Sequence, residues 1–280
     1  MTRLVIGSDE HKLRFCREFI RTHEQYQPSQ ITWPEIEPES RALLCSLPIW
    51  DEAVNTERAT ARKVQRMAQA EPDPVVREAI ALQGFEEGRH AALLDLLTQH
   101  YGIAVTHQHP FDDSTDPTWD FIRTEYGECF DAFFAFGLFA LARDSGFFPP
   151  SLVTLFDPVM QEEARHVLFF VNWIAYRRAR LPLDQKPLLD LRRAIAVVLQ
   201  VLSRVRTALD LGGGAEQDNF AMKSHQSLGD FSIRTFLSTC LRENERRFGV
   251  YDPELLRPHF APGAARLALR FMRAEDVPAR

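Results

Sequence analysis

Cysteine is scarce in this chain, and its spacing indicates no pair. The four cysteines, Cys16, Cys45, Cys129 and Cys240, lie far apart in 280 residues and form no Cys-x-x-Cys motif. Dispersed cysteines without such spacing are typical of reduced thiols rather than of a disulfide framework. We therefore expect free thiols and a cytoplasmic location.

Long hydrophobic runs are also missing. The most apolar stretch, residues 129–142, contains Asp131 and is shorter than the ~20 residues that a membrane-spanning helix needs. The first ten residues, MTRLVIGSDE, lack the apolar segment of a secretory signal peptide. We therefore expect no membrane partner and interpret residues 129–142 as part of a buried helix.

The chain has no excess of positive charge. Its 39 aspartates and glutamates outnumber 33 lysines and arginines, so the net charge is −6 and the pI is about 5.9. Proteins that bind nucleic acids usually carry a basic surface, so we expect no nucleic-acid partner. A hydrophobic fraction of 45%, with 21 phenylalanines, is enough to bury a substantial core.

What the sequence does contain is a series of helical patterns. Apolar residues recur at spacings of three and four, and Ser8 and Asp73 occupy N-cap positions. The patterns predict an all-α fold with helices over 9–26, 40–70, 74–101, 118–143, 151–180, 188–210, 231–248 and 262–274. We divide the chain into an N-terminal helical lead-in (1–39), a four-helix bundle (40–181) and a C-terminal helical extension (182–280). Gly212, Gly213 and Gly214 indicate a flexible break in that extension.

One motif occurs twice, once in each predicted hairpin of the bundle. Glu87 precedes His90 by three residues, and Glu163 precedes His166 by the same spacing. Residues three apart on a helix share a face, so each carboxylate and imidazole can point at one place. Two such pairs are half of the ligand set of a dinuclear carboxylate metal site inside a helical bundle.

The other half of that ligand set would be one glutamate from each remaining helix. Residues at equal distance from a hairpin turn meet at the same height, and this favours Glu57 over Glu52 in the first hairpin. In the second hairpin it favours Glu128 over Glu125, although helix ends inferred from sequence are uncertain by two residues or more. The candidate metal ligands are therefore Glu57, Glu87, His90, Glu128, Glu163 and His166. Four carboxylates would balance two divalent cations, and this donor set suits iron or manganese, with zinc not excluded.

With these motifs the chain resembles the ferritin-like di-iron carboxylate superfamily, over about residues 45–178. The phrases VREAIALQGFEEGRH and GFFPPSLVTLFDPVMQEEARHVLFFVNW look like bacterial ferritin-like domain proteins of unassigned activity. The resemblance implies a four-helix bundle, two iron ions (or manganese, or one of each), and dioxygen or peroxide chemistry. By analogy, Glu87 and Glu163 would bridge the ions, Glu57 and His90 would complete one, and Glu128 and His166 the other. The missing Cys-x-x-Cys pair excludes a rubredoxin-type iron, and the extra helices argue against a storage cage.

We expect an O2-activating oxidase or oxygenase of a small apolar substrate, with an unidentified electron donor and a possible homodimer. The alternatives are an iron-handling or peroxide-scavenging protein and a helical scaffold that binds zinc without redox chemistry. The phenylalanine-rich helix over 118–143 either packs the core or lines a substrate pocket. Tyr126 and Cys129 beside Glu128 either pack or take part in redox chemistry.

Several polar residues near the motifs have a simpler interpretation than metal binding. Glu86 and Glu162 have an arginine three residues later, Arg89 and Arg165, and are solvated or outer-sphere ion pairs in this interpretation. Histidines without a partner at ligand spacing are interpreted as surface or loop residues: His100, His107, His109, His225 and His259.

Overall fold

The computed structural model describes residues 4–47, 49–105, 110–146, 148–213 and 232–272, without the side chains of 204–213. Within these ranges the predicted all-α class is confirmed, since helices are present and strands are not. The helices are α1 (Asp9–Arg21), α2 (Pro38–Ser46), α3 (Trp50–Ala70), α4 (Pro74–Tyr101), α5 (Pro117–Ser145), α6 (Pro150–Val153), α7 (Asp157–Arg180), α8 (Lys186–Gly213), α9 (Ile233–Phe248) and α10 (Phe260–Phe271). None of the described helices is long and apolar enough to cross a bilayer.

Local sequence signals define where the long helices begin and end. The side chain of Asp73 caps α4 by accepting hydrogen bonds from the backbone N–H groups of Val75 (3.0 Å) and Val76 (3.3 Å). Gly102 and Gly146 follow α4 and α5 with φ of 72° and 71°. This left-handed conformation is open to glycine at little cost, so it ends a helix and turns the chain.

Four long helices surround the middle of the molecule. α3 packs along α4 and against α5, α5 packs against α7, and α4 also contacts α7. Each helix therefore touches two of the others, and their inward faces meet. Trp173 and Phe121 are fully buried there, with ring centroids 4.9 Å apart in an edge-to-face arrangement.

The lead-in and the extension pack on these four helices. α1 contacts α4 and α7, α8 contacts α5, and α9 contacts α5 and α7. One buried apolar cluster includes Phe15 from the lead-in, Trp173 from α7, and Phe248 from the extension. The outer helices therefore share a core with the central ones.

The helices predicted over 9–26, 40–70 and 151–180 differ most in extent from the structure. The helix predicted over 9–26 ends at Arg21, and the following segment turns so that Arg89 can donate to the carbonyl groups of Glu24 and Tyr26. The helix predicted over 40–70 is divided into α2 and α3, because Leu47 precedes a proline and is extended. The helix predicted over 151–180 is divided into α6, a 3₁₀ turn (Thr154–Phe156) and α7. The proline after Asp157 suits the first turn of a new helix but not the interior of a long one.

α8 differs from the prediction at both ends. It begins at Lys186 and continues through Gly213, so Gly212 and Gly213 do not break it. Gly214, His107, His109 and His225, which also featured in the predictions, lie outside the described residues.

α8 also presents an apolar stripe to solvent. Residues at alternating spacings of three and four are 42–58% exposed: Leu188, Leu191, Ile195, Val198 and Leu202. This spacing is typical of a face that packs against another helix. The homodimer that we expect would need such a face, and it stays a prediction.

α5 and α9 approach most closely where Gly137 faces Cys240. A Cβ atom at position 137 would lie 2.2 Å from Cys240 Sγ and 3.2 Å from the backbone nitrogen of Cys240. Because backbone atoms stand in the way, the contact cannot be relieved by rotating a side chain. Glycine at 137 therefore sets the distance between the extension and the central helices.

We predict that Gly137→Ala lowers the free energy of unfolding, by about 1–3 kcal/mol, because α9 must move to admit the methyl group. Urea unfolding followed by circular dichroism measures the change. The matched control is Gly88→Ala on α4, where nothing lies within 4 Å of the added Cβ. Alanine there should stabilise the helix by about 0.5–1 kcal/mol. A Gly137→Ala variant as stable as wild type would contradict the close approach.

Candidate metal centre

The repeated Glu-x-x-His motifs meet in the interior between α4 and α7. Glu87 and His90 come from α4, Glu163 comes from α7, and Glu57 joins them from α3. One ligand atom from each of these four residues lies within 4.8 Å of the others. Glu87, His90 and Glu163 are buried, while the side chain of Glu57 keeps 23% of its exposure. Side chains distant in sequence thus form a group that could hold a metal ion.

Both imidazoles turn the same nitrogen toward this group. His90 Nδ1 lies 3.0 Å from Glu163 Oε1, 3.6 Å from Glu57 Oε2 and 3.7 Å from Glu87 Oε2. His166 Nδ1 lies 3.0 Å from Glu87 Oε1 and 3.6 Å from Glu163 Oε2. The two rings are 5.7 Å apart, centroid to centroid. Glu87 and Glu163 therefore each lie near both imidazoles, where a carboxylate could bridge two cations.

The centre contains buried polar atoms that lack hydrogen-bond partners. His90 Nδ1, His166 Nδ1 and Glu163 Oε2 are among them. An unsatisfied buried polar atom costs about 1–3 kcal/mol, so such atoms are rare without a role. Nitrogen and carboxylate oxygen are donors that divalent metals accept, and two cations would satisfy all three atoms. The residues present therefore fit a metal centre.

The Nε2 atom of each imidazole lies within hydrogen-bond distance of a glutamate on the opposite helix. His90 Nε2 lies 2.9 Å from Glu162 Oε2, and His166 Nε2 lies 2.8 Å from Glu86 Oε2. A carboxylate at Nε2 favours the tautomer that carries its proton there and leaves the Nδ1 lone pair for a metal. The exchange is reciprocal, because α4 supplies the acid for the α7 histidine and α7 supplies the acid for the α4 histidine.

The two arginines of the motifs also cross between helices. Arg89 Nη2 donates to Glu162 Oε1, and Arg165 Nη2 donates to Glu86 Oε1. Glu86 and Glu162 are 0% and 1% exposed, so of the two interpretations the solvated one is wrong, and both residues form buried ion pairs. Each carboxylate contacts an arginine and a histidine of the opposite helix. The predicted contact within one helix is also present for Arg165, whose Nη2 lies 3.6 Å from Glu162 Oε1.

The lead-in adds two more contacts to these glutamates. The Tyr26 hydroxyl donates to Glu162 Oε2 at 3.2 Å, and His23 Nδ1 contacts Glu86 Oε1. His23, Glu86 and Glu162 also have ligand atoms within 4.8 Å of one another. Because both carboxylates already bind an arginine and an imidazole, we assign this second group to anchoring the histidines rather than to a further ion.

α5 contributes two glutamates to the surroundings of the centre. Glu125 is fully buried, and its Oε1 accepts a hydrogen bond from Gln83 Nε2 at 2.7 Å. Glu128 Oε1 accepts from Thr60 Oγ1 at 3.4 Å, and burial together with Glu163 and Glu87 raises its pKa. The turn-counting that favoured Glu128 assumed helix ends near Leu141 and Pro150, whereas α5 ends at Ser145 and α7 begins at Asp157. Both carboxylates therefore remain candidates, while the discarded Glu52 of α3 is exposed.

The electrostatics of the centre reflect the crowding of acids. Burial, followed by the carboxylate of Glu87, raises the pKa of Glu125, and burial raises the pKa of Glu57 to about 8. Burial alone would lower the pKa of His90, but Glu162, Glu163 and Glu57 outweigh it and raise that pKa well above its usual value. Without a metal the cluster thus offsets its negative charge by holding protons, which divalent cations could replace.

The pKa of the anchoring glutamate Glu86 shifts in the opposite direction. Burial alone would raise the pKa of Glu86, but His166, Arg165 and His23 outweigh it and lower the pKa to about 2. This carboxylate is therefore ionised at neutral pH and can hold the His166 Nε2 proton.

The sequence analysis identified the motif residues but not the residues that form hydrogen bonds around them. Gln83, His23 and Tyr26 gave no signal, because their partners are distant in sequence. The doubled glutamate of Glu86-Glu87 and Glu162-Glu163 was the one available signal, since a second acid one position earlier recurs in both copies. The chain matches no family model, and neither the curated proteins nor the solved structures provide a match.

We predict that His90→Ala and Glu163→Ala each lower bound metal from two ions per chain toward one or none, because each removes a donor at the centre. Mass spectrometry of iron- or manganese-loaded, desalted protein measures the stoichiometry. His100→Ala is the matched control on the same helix, since His100 is exposed and stacks on Trp33. Two retained ions in either ligand variant would contradict the assignment.

We predict that Glu162→Gln and Glu86→Gln weaken metal binding about 10–100-fold, because each histidine loses the charged acceptor that orients it. Competition against a coloured chelator gives the dissociation constants. Glu52→Gln, an exposed change on α3, should leave them unaltered. Dissociation constants equal to wild type in both anchor variants would show that the crossed pairs do not support the metal.

Proposed function

We propose that this protein is a ferritin-like dinuclear metal oxidoreductase that uses iron, or iron with manganese, and O2 to oxidise a small, largely apolar substrate. One observation carries the proposal. Two buried imidazoles direct unpartnered Nδ1 atoms at a shared pair of carboxylates, Glu87 and Glu163. The mutual contacts of the four central helices α3, α4, α5 and α7 also support the proposal of a helical bundle.

In this proposal the residues that would hold the ions are Glu57, Glu87, His90, Glu128, Glu163 and His166. Glu125 stands beside them as a further carboxylate. When bound, the ions would supply electron transfer to O2, which carboxylate and imidazole ligation supports in iron and manganese. An electron donor and O2 are therefore partners in the proposal.

The protein's own contribution is to hold this donor set in place. Glu86 and Glu162 hold the Nε2–H protons, so both imidazoles keep one tautomer and one orientation. Arg89 and Arg165 donate hydrogen bonds to Glu162 and Glu86, and these contacts hold both carboxylates in position in the buried interior. His90 and His166 are 1% and 0% exposed, so bulk water is excluded from their side of the centre. A preorganised, dry set of ligands is what a reactive metal centre requires.

An apolar cavity beside the centre favours substrate oxidation over iron handling. Its volume is about 860 Å³, and apolar side chains from α5, α7, α8 and the α9–α10 connection form most of its wall. This volume lies within the usual range of small-molecule sites. An iron-handling protein or a zinc scaffold has no need of such a cavity, which is why we rank those alternatives lower.

The cavity adjoins the centre along two helices. Cys129 in its wall follows Glu128 directly, and Phe170 in its wall lies one helical turn beyond His166. The carboxylates of Glu125 and Glu128 contribute, after burial, to raising the pKa of the Cys129 thiol, so that thiol stays protonated and unreactive. Tyr126 packs edge-to-face on Phe170, with ring centroids 5.0 Å apart. Both residues line the cavity, and these contacts favour a packing role for them over a redox role.

The phenylalanines of α5 lie in both of the environments that the sequence allowed, the packed core and a cavity wall. Phe121 and Phe136 are buried in the central core, whereas Phe130 lines the cavity. The cavity takes only one face of the helix: its lining residues Tyr126, Cys129 and Phe130 are three and four apart and therefore share that face.

We predict that the Fe(II)-loaded protein is oxidised by O2 in a single turnover at two irons per chain, with a transient visible absorption. Its decay should accelerate with an added apolar substrate, because the cavity would place that substrate beside the centre. Anaerobic stopped-flow mixing with O2-saturated buffer measures both rates, and His166→Ala is the inactive control. Continued iron uptake with mineral growth would favour iron handling instead, and no spectral change would favour a scaffold.

A further inference from the structure

We propose that the natural ligand of the cavity is an amphiphilic monocarboxylate, with its anionic head at the cavity rim and its apolar body toward the metal centre. The identity of this ligand as the substrate rests on the proposed function, but its binding does not. The cavity has two chemically distinct parts. One is apolar and adjoins the centre, and the other carries a surplus of positive charge.

The wall contributed by α7 shows the change from apolar to charged. It runs from Phe170 through Ile174 to Arg178. At ~1.5 Å per residue, about 12 Å of helix separate Phe170 from Arg178. The charged end therefore lies away from His166, and the apolar end lies next to it. A ligand with one polar end has one preferred orientation in such a cavity.

The rim has more cations than acids. Arg178, Lys186, Arg193 and Arg257 line the cavity, and Asp190 is the acidic residue among the lining side chains. Asp190 Oδ1 already accepts from Arg178 Nε at 2.7 Å and from Arg193 Nη1 at 3.2 Å. Arg193 Nε also donates to the Tyr126 hydroxyl at 2.8 Å. The one acid is thus shared between two of the four cations.

The remaining two cations differ in what surrounds them. Arg257 donates from Nη2 to the carbonyl group of Tyr251 at 2.9 Å, and it has Asp252 and Glu18 as acidic neighbours. Lys186 is half-buried and forms no ion pair within the described part of the chain. A half-buried ammonium group without a counter-ion favours an anionic ligand, and a carboxylate can form a charge-assisted hydrogen bond with it.

These features select an anion and disfavour its neutral and cationic analogues. An alkyl alcohol of the same length would fill the apolar part but leave Lys186 without a counter-ion. An alkyl amine would add a fifth positive charge to the rim. A dicarboxylate would bury a charge in the apolar part, next to glutamates that already repel one another. A single carboxylate on an apolar body avoids each of these costs.

The test measures the binding of octanoate, 1-octanol and octylamine to the full chain by isothermal titration calorimetry at pH 7. Octanoate should bind about tenfold or more tightly than 1-octanol, because it gains a charge-assisted hydrogen bond at the rim. Octylamine should bind most weakly. Equal affinities for octanoate and 1-octanol would overturn the proposal.

Variants locate the binding. Lys186→Gln should weaken octanoate about tenfold, while 1-octanol should change little. Arg266→Gln, which removes a surface ion pair with Glu245, should alter neither. Ala194→Phe should abolish the binding of both ligands, because Ala194 lines the cavity and the added ring fills it. Octanoate binding that survives Ala194→Phe would place the site elsewhere and overturn the proposal.

The titrations are repeated on metal-free and metal-loaded protein, so that the two proposals can fail separately. Selective octanoate binding with no redox reaction would sink the proposed function and leave the ligand class intact. Redox turnover with equal binding of the acid and the alcohol would sink the ligand class and leave the function intact.

Discussion

Repulsion among buried carboxylates is the constraint on which the rest of the structure depends. Five glutamates, Glu57, Glu87, Glu125, Glu128 and Glu163, share a small region between four helices. Their negative charges must be balanced inside the protein, because the desolvation of an unpaired carboxylate costs far more than a domain's net stability allows. Protons balance them in the metal-free state, and two divalent cations would balance them better. In our proposal, metal binding relieves this repulsion among the buried carboxylates.

The crossed Glu–His and Glu–Arg contacts explain how such a centre keeps its shape. If Glu86 held His90 on its own helix, each motif could tilt independently and the two halves of the centre would be uncoupled. Because Glu86 instead holds His166, and Glu162 holds His90, a movement of either helix breaks contacts at both histidines. Arg89 adds the lead-in to the same network, since it donates to the carbonyl groups of Glu24 and Tyr26 as well as to Glu162. The outer segment and the metal centre are therefore coupled through one buried guanidinium.

The sequence predicted those features of the arrangement that depend on local sequence patterns. The N-caps, the helix periodicity and the pairing of Glu87 with His90 follow from spacing along one helix, and the recurrence of that spacing at Glu163 and His166 predicted that the two pairs converge. The partners of Glu86 and Glu162 could not be predicted in this way, because an arginine three residues away and an arginine on another helix satisfy the same local pattern. The uncertainty over Glu125 and Glu128 has the same origin. Turn-counting assumed that the second hairpin is as tight as the first, but α6 and its 3₁₀ turn intervene and shift the register.

The C-terminal extension forms part of the wall of the apolar cavity, which the central helices alone would leave open. α5 and α7 alone would present Phe130, Phe170 and Ile174 to solvent as an apolar groove. α8 and the segment before α10 cover that groove, and they bring Lys186, Arg193 and Arg257 to its edge. The extension is held at this distance by contacts such as Gly137 with Cys240, which tolerate little change. In our proposal the bundle therefore supplies a reactive centre, and the extension determines which molecule can bind beside it.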